Sequence, residues 1–116
     1  MRREYREILQ ILGYLYLQHA QPGRALAFLL LAARDNRDDP ELTETLAYAF
    51  LANGDAKQAH TLLERLDRRE GRPPDNSPRH LLMSRTLLAL GETERARELF
   101  RRFAAARRAE AAAPRA

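Results

Sequence analysis

Apolar side chains recur along this chain at steps of three and four, in stretches divided by short polar breaks. Such spacing places them on one face of an α-helix. The breaks between paired stretches are Ala20-Gln21-Pro22-Gly23, Asn53-Gly54-Asp55 and Leu90-Gly91-Glu92. Before each break runs one amphipathic stretch, with Leu12, Gly13 and Tyr16, then Leu46, Ala47 and Phe50, then Met83, Ser84 and Leu87. After each break runs a second one, with Ala25, Leu29 and Ala32, then Ala59, Leu63 and Leu66, then Ala96, Phe100 and Phe103. The pattern predicts helices near 4–19, 22–36, 40–53, 55–69, 77–90 and 92–109. No run of alternating β-branched residues argues for a strand.

Ala25, Ala59 and Ala96 are corresponding positions, separated by 34 and then 37 residues. A fixed period of this length is the mark of a helical-hairpin array. The three extra residues belong to Gly71-Arg72-Pro73-Pro74-Asp75-Asn76, whose prolines and glycine exclude a helix. Positions related by these two offsets form a column. Small residues at Gly13/Ala47/Ser84 and Ala25/Ala59/Ala96 let paired helices approach. Large ones at Tyr16/Phe50/Leu87 and Leu29/Leu63/Phe100 are expected to fill the space between repeats. Asp39-Pro40 and Ser77-Pro78 read as N-caps followed by proline at the first helical position. Asp55 reads as a third cap, and Gly54 and Gly91 as left-handed helix ends.

The pattern Leu12-Gly13…Tyr16…Ala25…Leu29…Ala32 is similar to the tetratricopeptide consensus and recurs twice in weaker form. The usual tryptophan near each repeat start is replaced by Leu9, Thr43 and His80, and the closing proline is displaced to Pro40 and Pro78. The resemblance implies an all-α fold of three hairpins, approximately 5–38, 39–72 and 77–106, stacked into a short curved solenoid with a concave groove. Residues 1–106 are thus expected to form one domain, with 107–116 as a frayed Arg- and Ala-rich tail. In such arrays the first helix of each hairpin lines the concave face. The inward columns then read Tyr14/Tyr48/Arg85, Leu17/Leu51/Leu88, Gln18/Ala52/Ala89 and Gln10/Glu44/Leu81. Two tyrosines and three leucines form an apolar ladder that the array's own packing does not need, which marks an interaction site. A helix or extended segment of another polypeptide is the simplest occupant. A homodimer closed through the same groove is the alternative in the absence of a client.

Charge and chemistry narrow the function further. The net charge of +4 lies wholly in residues 101–116, while the first hundred residues hold 15 basic and 15 acidic side chains. A nucleic-acid footprint would place a basic stripe on the body, so the arginines read as a solvated helix end beside the negative pole of its dipole, and no nucleic-acid partner is expected. Cysteine is absent, which excludes disulfides and thiolate sites. His19, His60 and His80 have no metal-ligand spacing and no catalytic companion in sequence, and read as surface or helix-end residues. Asp38 and Asp39 read as a loop charge and a cap. There is no glycine-rich phosphate loop. No enzyme, cofactor or metal site is expected. The apolar stretch Ile8–Leu17 is too short to span a bilayer, so a soluble cytoplasmic protein is expected.

The run from Glu7 to Gln18 (EILQILGYLYLQ), the short length and the closing Arg95-Ala96-Arg97-Glu98-Leu99-Phe100 resemble the Y-type chaperones of bacterial type III secretion systems. That resemblance implies a chaperone that holds a small exported protein, the X-type component, in its concave face and docks the pair on the export-gate membrane protein. Chaperones of translocators and needle subunits, and generic adaptors, share the same features.

Overall fold

A computed structural model describes residues 2–114 of the chain. It contains α1 (Arg3–Gln18), α2 (Pro22–Ala33), α3 (Pro40–Ala52), α4 (Ala56–Glu70), α5 (Pro78–Ala89) and α6 (Thr93–Ala112). No strand occurs among the described residues. Every helix end falls within three residues of its expected position. The hairpins α1/α2, α3/α4 and α5/α6 stack in order, α2 on α3 and α4 on α5. Because α3 also touches α5, the first helices of the hairpins lie along one inner face.

The helix starts follow from their caps. Asp39 accepts hydrogen bonds from the Glu41 and Leu42 amides, Ser77 from the Arg79 amide and Asp55 from the Gln58 amide. Each cap satisfies a donor that the first turn leaves free, worth about 1 kcal/mol. The three hairpin turns are one turn repeated. The amides of Ala20, Gly54 and Gly91 donate to the carbonyls of Leu17, Leu51 and Leu88 at 3.0–3.1 Å. The next amides, of Gln21, Asp55 and Glu92, reach back to Tyr16, Phe50 and Leu87 at 2.8–2.9 Å. This double closure needs a left-handed residue at its tip. Gly54 and Gly91 supply it at φ 85° and 84°, and Ala20 is forced into it at φ 56°.

The core is built from the columns. Ala25, Leu29, Ala32, Ala47, Ala59 and Leu63 are fully buried, joined by Leu42, Leu46, Leu62 and Leu82. Each fully buried leucine contributes about 2 kcal/mol from apolar area removed from water. Hairpin closure is tightest at Gly13, where an added Cβ would stand 2.6 Å from Leu29 Cγ and Cδ2. Ser84, in the same column, donates to the Ala96 carbonyl at 2.8 Å, and the two hairpins thus close in different ways.

Three expectations need correction. Phe100 does not fill an inter-repeat space: it is 53% exposed, because no helix among the described residues covers that face of α6. His80 is buried rather than superficial. It stands in the column of buried Thr43, under the 71–76 linker, with Nδ1 3.9 Å from Asp75. The helix also does not fray at residue 107 but runs on to Ala112. Alanine at 104–106, 109 and 111–112 is the best helix former. Arg107 lies over the Phe103 ring, and the Asn76 amide donates to Glu110 at 3.0 Å. Residues 115 and 116 of the tail lie outside the described residues.

Candidate functional site

The inner face holds an open cavity of about 450 Å³ bounded by α1, α3 and α5. Of the residues expected there, Tyr14, Leu17, Gln18, Glu44, Tyr48, Leu81 and Arg85 line it together. Tyr14 and Tyr48 are 43% and 40% exposed, so neither ring is consumed by the chain's own packing. Five expected residues do not line it, among them Ala89, exposed at the end of α5. Leu51 is half-buried against the core cluster. Leu88 is exposed near the end of α5, beyond the cavity. Ala52 is exposed and outside it. Gln10 borders only a shallow crevice beside Tyr14 and Leu42. Thr45, Pro78, Arg79 and Leu82 line the cavity without having been expected. Thr45 and Leu82 share a column with Ile11, one residue beyond Gln10/Glu44/Leu81, so the same periodicity could have found them.

The walls are fixed by polar contacts. The Thr45 hydroxyl donates to the Glu41 carbonyl at 3.0 Å. Its one hydrogen is thereby used, so the Tyr14 hydroxyl is the donor in the 2.9 Å contact between them. This bond links the first hairpin to the second across the groove. The Arg85 guanidinium lies 5.7 Å from the centre of the Tyr48 ring and braces it from the α5 side. Burial pushes the Glu44 carboxyl above its usual range; Arg79 pulls it back and Glu41 adds to the rise. The floor is therefore largely apolar, with one carboxyl whose ionised form burial disfavours.

Arg79 passes between this groove and a second cleft of about 410 Å³ on the outer face, lined by α4, the 71–76 linker, α5 and α6. Its side chain is only 11% exposed. Nε lies 3.3 Å from Asp67 Oδ1 in an ion pair too poorly aligned to be a hydrogen bond. Nη2 donates to the Gly71 carbonyl at 2.7 Å. Burial raises the Asp67 carboxyl, while Arg79, Arg72 and His80 lower it and Glu64 raises it again. The 71–76 linker is thus tied down by Arg79 at its start.

The chemistry on offer is recognition. Among the described residues there is no group of three or more His, Cys, Asp or Glu side chains able to hold a metal ion. No helix among them is long and apolar enough to cross a membrane. In comparisons with known proteins, the family model for the tetratricopeptide repeat matches residues 50–115, from the end of α3 through α6. No curated protein matches the chain.

Proposed function

The chain belongs to the tetratricopeptide repeat family, and on that premise we propose that its inner groove binds a helical segment of another polypeptide. Helical-hairpin arrays of this kind are protein-interaction modules. The observation that carries the reading is the open apolar cavity between α1, α3 and α5, with Tyr14 and Tyr48 at its rim. Tyrosine offers apolar area with a hydroxyl at small entropic cost, and an apolar helix face laid in a groove supplies the matching anchors.

The specific proposal is a chaperone of a bacterial type III secretion system, working in the cytoplasm. Its client is a small helical export component of the X type, which the chaperone hands to the export-gate membrane protein. Support comes from the Y-type resemblance of the Glu7–Gln18 run and from the open cavity between α1, α3 and α5. An export substrate carries apolar helices that self-associate before assembly. Covering them in a groove keeps the client soluble, with the ordering of the client set against the affinity gained. A repeat adaptor joining two stably folded proteins is the alternative.

Co-expression separates the two. A small helical export substrate, insoluble alone, is expected in the soluble fraction with this chain. It is expected to be lost from that fraction with Tyr48→Asp/Arg85→Glu, two exposed positions whose change is expected to leave the melting temperature nearly unaltered. A client equally soluble without this chain would favour the adaptor. Retention of the client by the double variant would remove the groove from consideration.

A further inference from the structure

Among the described residues no helix covers the face of α6 that its earlier copies keep buried. Phe100 shares a column with Leu29 and Leu63, both 0% exposed. The first helix of the next hairpin lies on each of those leucines, whereas Phe100 is left 53% exposed. Arg97 shares a column with buried Leu26 and half-buried His60, and Ala104 with half-buried Ala33 and Asp67. Arg97, Phe100 and Ala104 therefore form a single stripe, at steps of three and four, shaped to receive a helix.

The charge around the stripe says which helix. Arg101 and Arg108 flank it on one side and Arg107 on the other. Among the described residues neither Arg97 nor Arg108 has an ion-pair partner. Where α4 meets α5, the second helix supplies a carboxylate, Asp67, and the covering helix supplies the cation, Arg79. At α6 Arg97 and Arg108 stand on the face to be covered, with Arg101 already meeting Glu98 at 3.4 Å, so a cover that brings carboxylates fits best. A second copy stacked head to tail would bring α1, whose cap and first turns carry Arg2, Arg3 and Arg6 against Glu4 and Glu7, with Arg3 already paired to Glu7, and so offers a net positive end without an excess of carboxylates. A nucleic acid would follow phosphate-spaced charge over the body, which is neutral apart from this end.

We propose that the outer face of α6, centred on Phe100 and ringed by Arg97, Arg101, Arg107 and Arg108, docks an acidic amphipathic helix of a partner protein. The site is separate from the inner groove and does not depend on what the groove binds. It places a second partner against α6, in the position the first helix of a further hairpin would hold.

The test uses a fluorescein-labelled synthetic helix of about 20 residues, leucine on one face and glutamate on its flanks, with a lysine-flanked twin as control. Anisotropy is expected to report binding of the acidic helix alone, weakened by salt. Phe100→Ala is expected to weaken it about tenfold. The triple change Arg97→Glu/Arg101→Glu/Arg108→Glu is expected to switch preference to the lysine twin. All four positions are exposed, and unchanged circular-dichroism melts confirm intact folding. Tyr48→Asp/Arg85→Glu is expected to leave the acidic helix bound. The proposal is overturned if Phe100→Ala and the charge reversal have no effect, or if the groove variant abolishes binding. A single-stranded oligonucleotide bound in preference to the acidic helix and lost on charge reversal would reassign the face to nucleic acid. A concentration-dependent dimer lost in Phe100→Ala would reassign it to a second copy.

Discussion

In the first hairpin the two helices meet with no side chain on one of them: Gly13 lies directly against Leu29. In the third, the same column holds Ser84, whose hydroxyl reaches across to the Ala96 carbonyl. The turn between helices is shared, yet its tip is a strained Ala20 in one hairpin and an unstrained Gly91 in the other. Their outward faces differ too. The first hairpin shows solvent Ile8, Ile11 and Leu15, in columns whose later members Leu42, Leu82, Ala49 and Thr86 are buried and Arg79 and Thr45 half-buried. The third shows Phe100 among arginines. The backbone plan thus fixes which columns face a neighbour, while the residue in each column fixes how that neighbour is recognised. An array with two chemically different ends has a direction.

The comparison is broken most severely at Leu29 and Phe100, two members of one column. Leu29→Ala is expected to lower stability by about 3 kcal/mol, as a fully buried leucine leaves a cavity. Phe100→Ala, half-exposed at the end, is expected to change it by less than about 0.5 kcal/mol. Urea unfolding measures both, and similar losses would mean that α6 is covered after all. Next come the closures. Gly13→Leu is expected to remove about 2–3 kcal/mol by forcing a side chain into Leu29, whereas Ser84→Ala loses about 1 kcal/mol with its hydrogen bond. At the turns the signs reverse. Ala20→Gly is expected to stabilise by about 1 kcal/mol and Gly91→Ala to destabilise by about the same amount, since only glycine adopts this geometry without a Cβ penalty. Shifts of the same sign in the two thermal melts would refute the shared turn.

The smallest expected effect is in pH. Burial holds the Asp67 carboxyl above its ordinary value at the joint between the second and third hairpins, and the first joint has only apolar side chains in those columns. A carboxyl raised by folding stabilises the native state most when protonated, below its unfolded pKa. That contribution is lost as pH rises through the higher folded value. Relative to Asp67→Asn, the wild-type protein should therefore gain stability as pH falls from about 6 to about 4. Parallel denaturation curves across that range would show that Asp67 is not desolvated. Glu44 extends the same sign to binding: an apolar helix in the groove desolvates it further, so client affinity should rise as pH falls.

The helices, their caps and the turns were legible because they depend on local residues and on the two offsets. Asp39, Ser77 and Asp55 cap as their positions dictate, and the columns place Leu29 and Leu63 in the core. The groove was legible where a column alone sets direction, as for Tyr14 and Tyr48. It was not legible at Leu51, where α3 is about to turn and its side chain is drawn back against the core. Arg79 and His80 were missed for another reason. Their surroundings are set by the path of the 71–76 linker, which breaks the repeat and follows no column. The reach of α6 to Ala112 depends on Asn76 and Glu110, 34 residues apart, meeting in space.

The chain has no tryptophan and only four tyrosines. Two of them, Tyr14 and Tyr48, stand at the mouth of the inner cavity, so two of the four intrinsic fluorophores lie where a client would settle. Occupancy is then readable without any label, as a change in tyrosine fluorescence. A tryptophan in the client would act as the sole energy acceptor and report its own arrival.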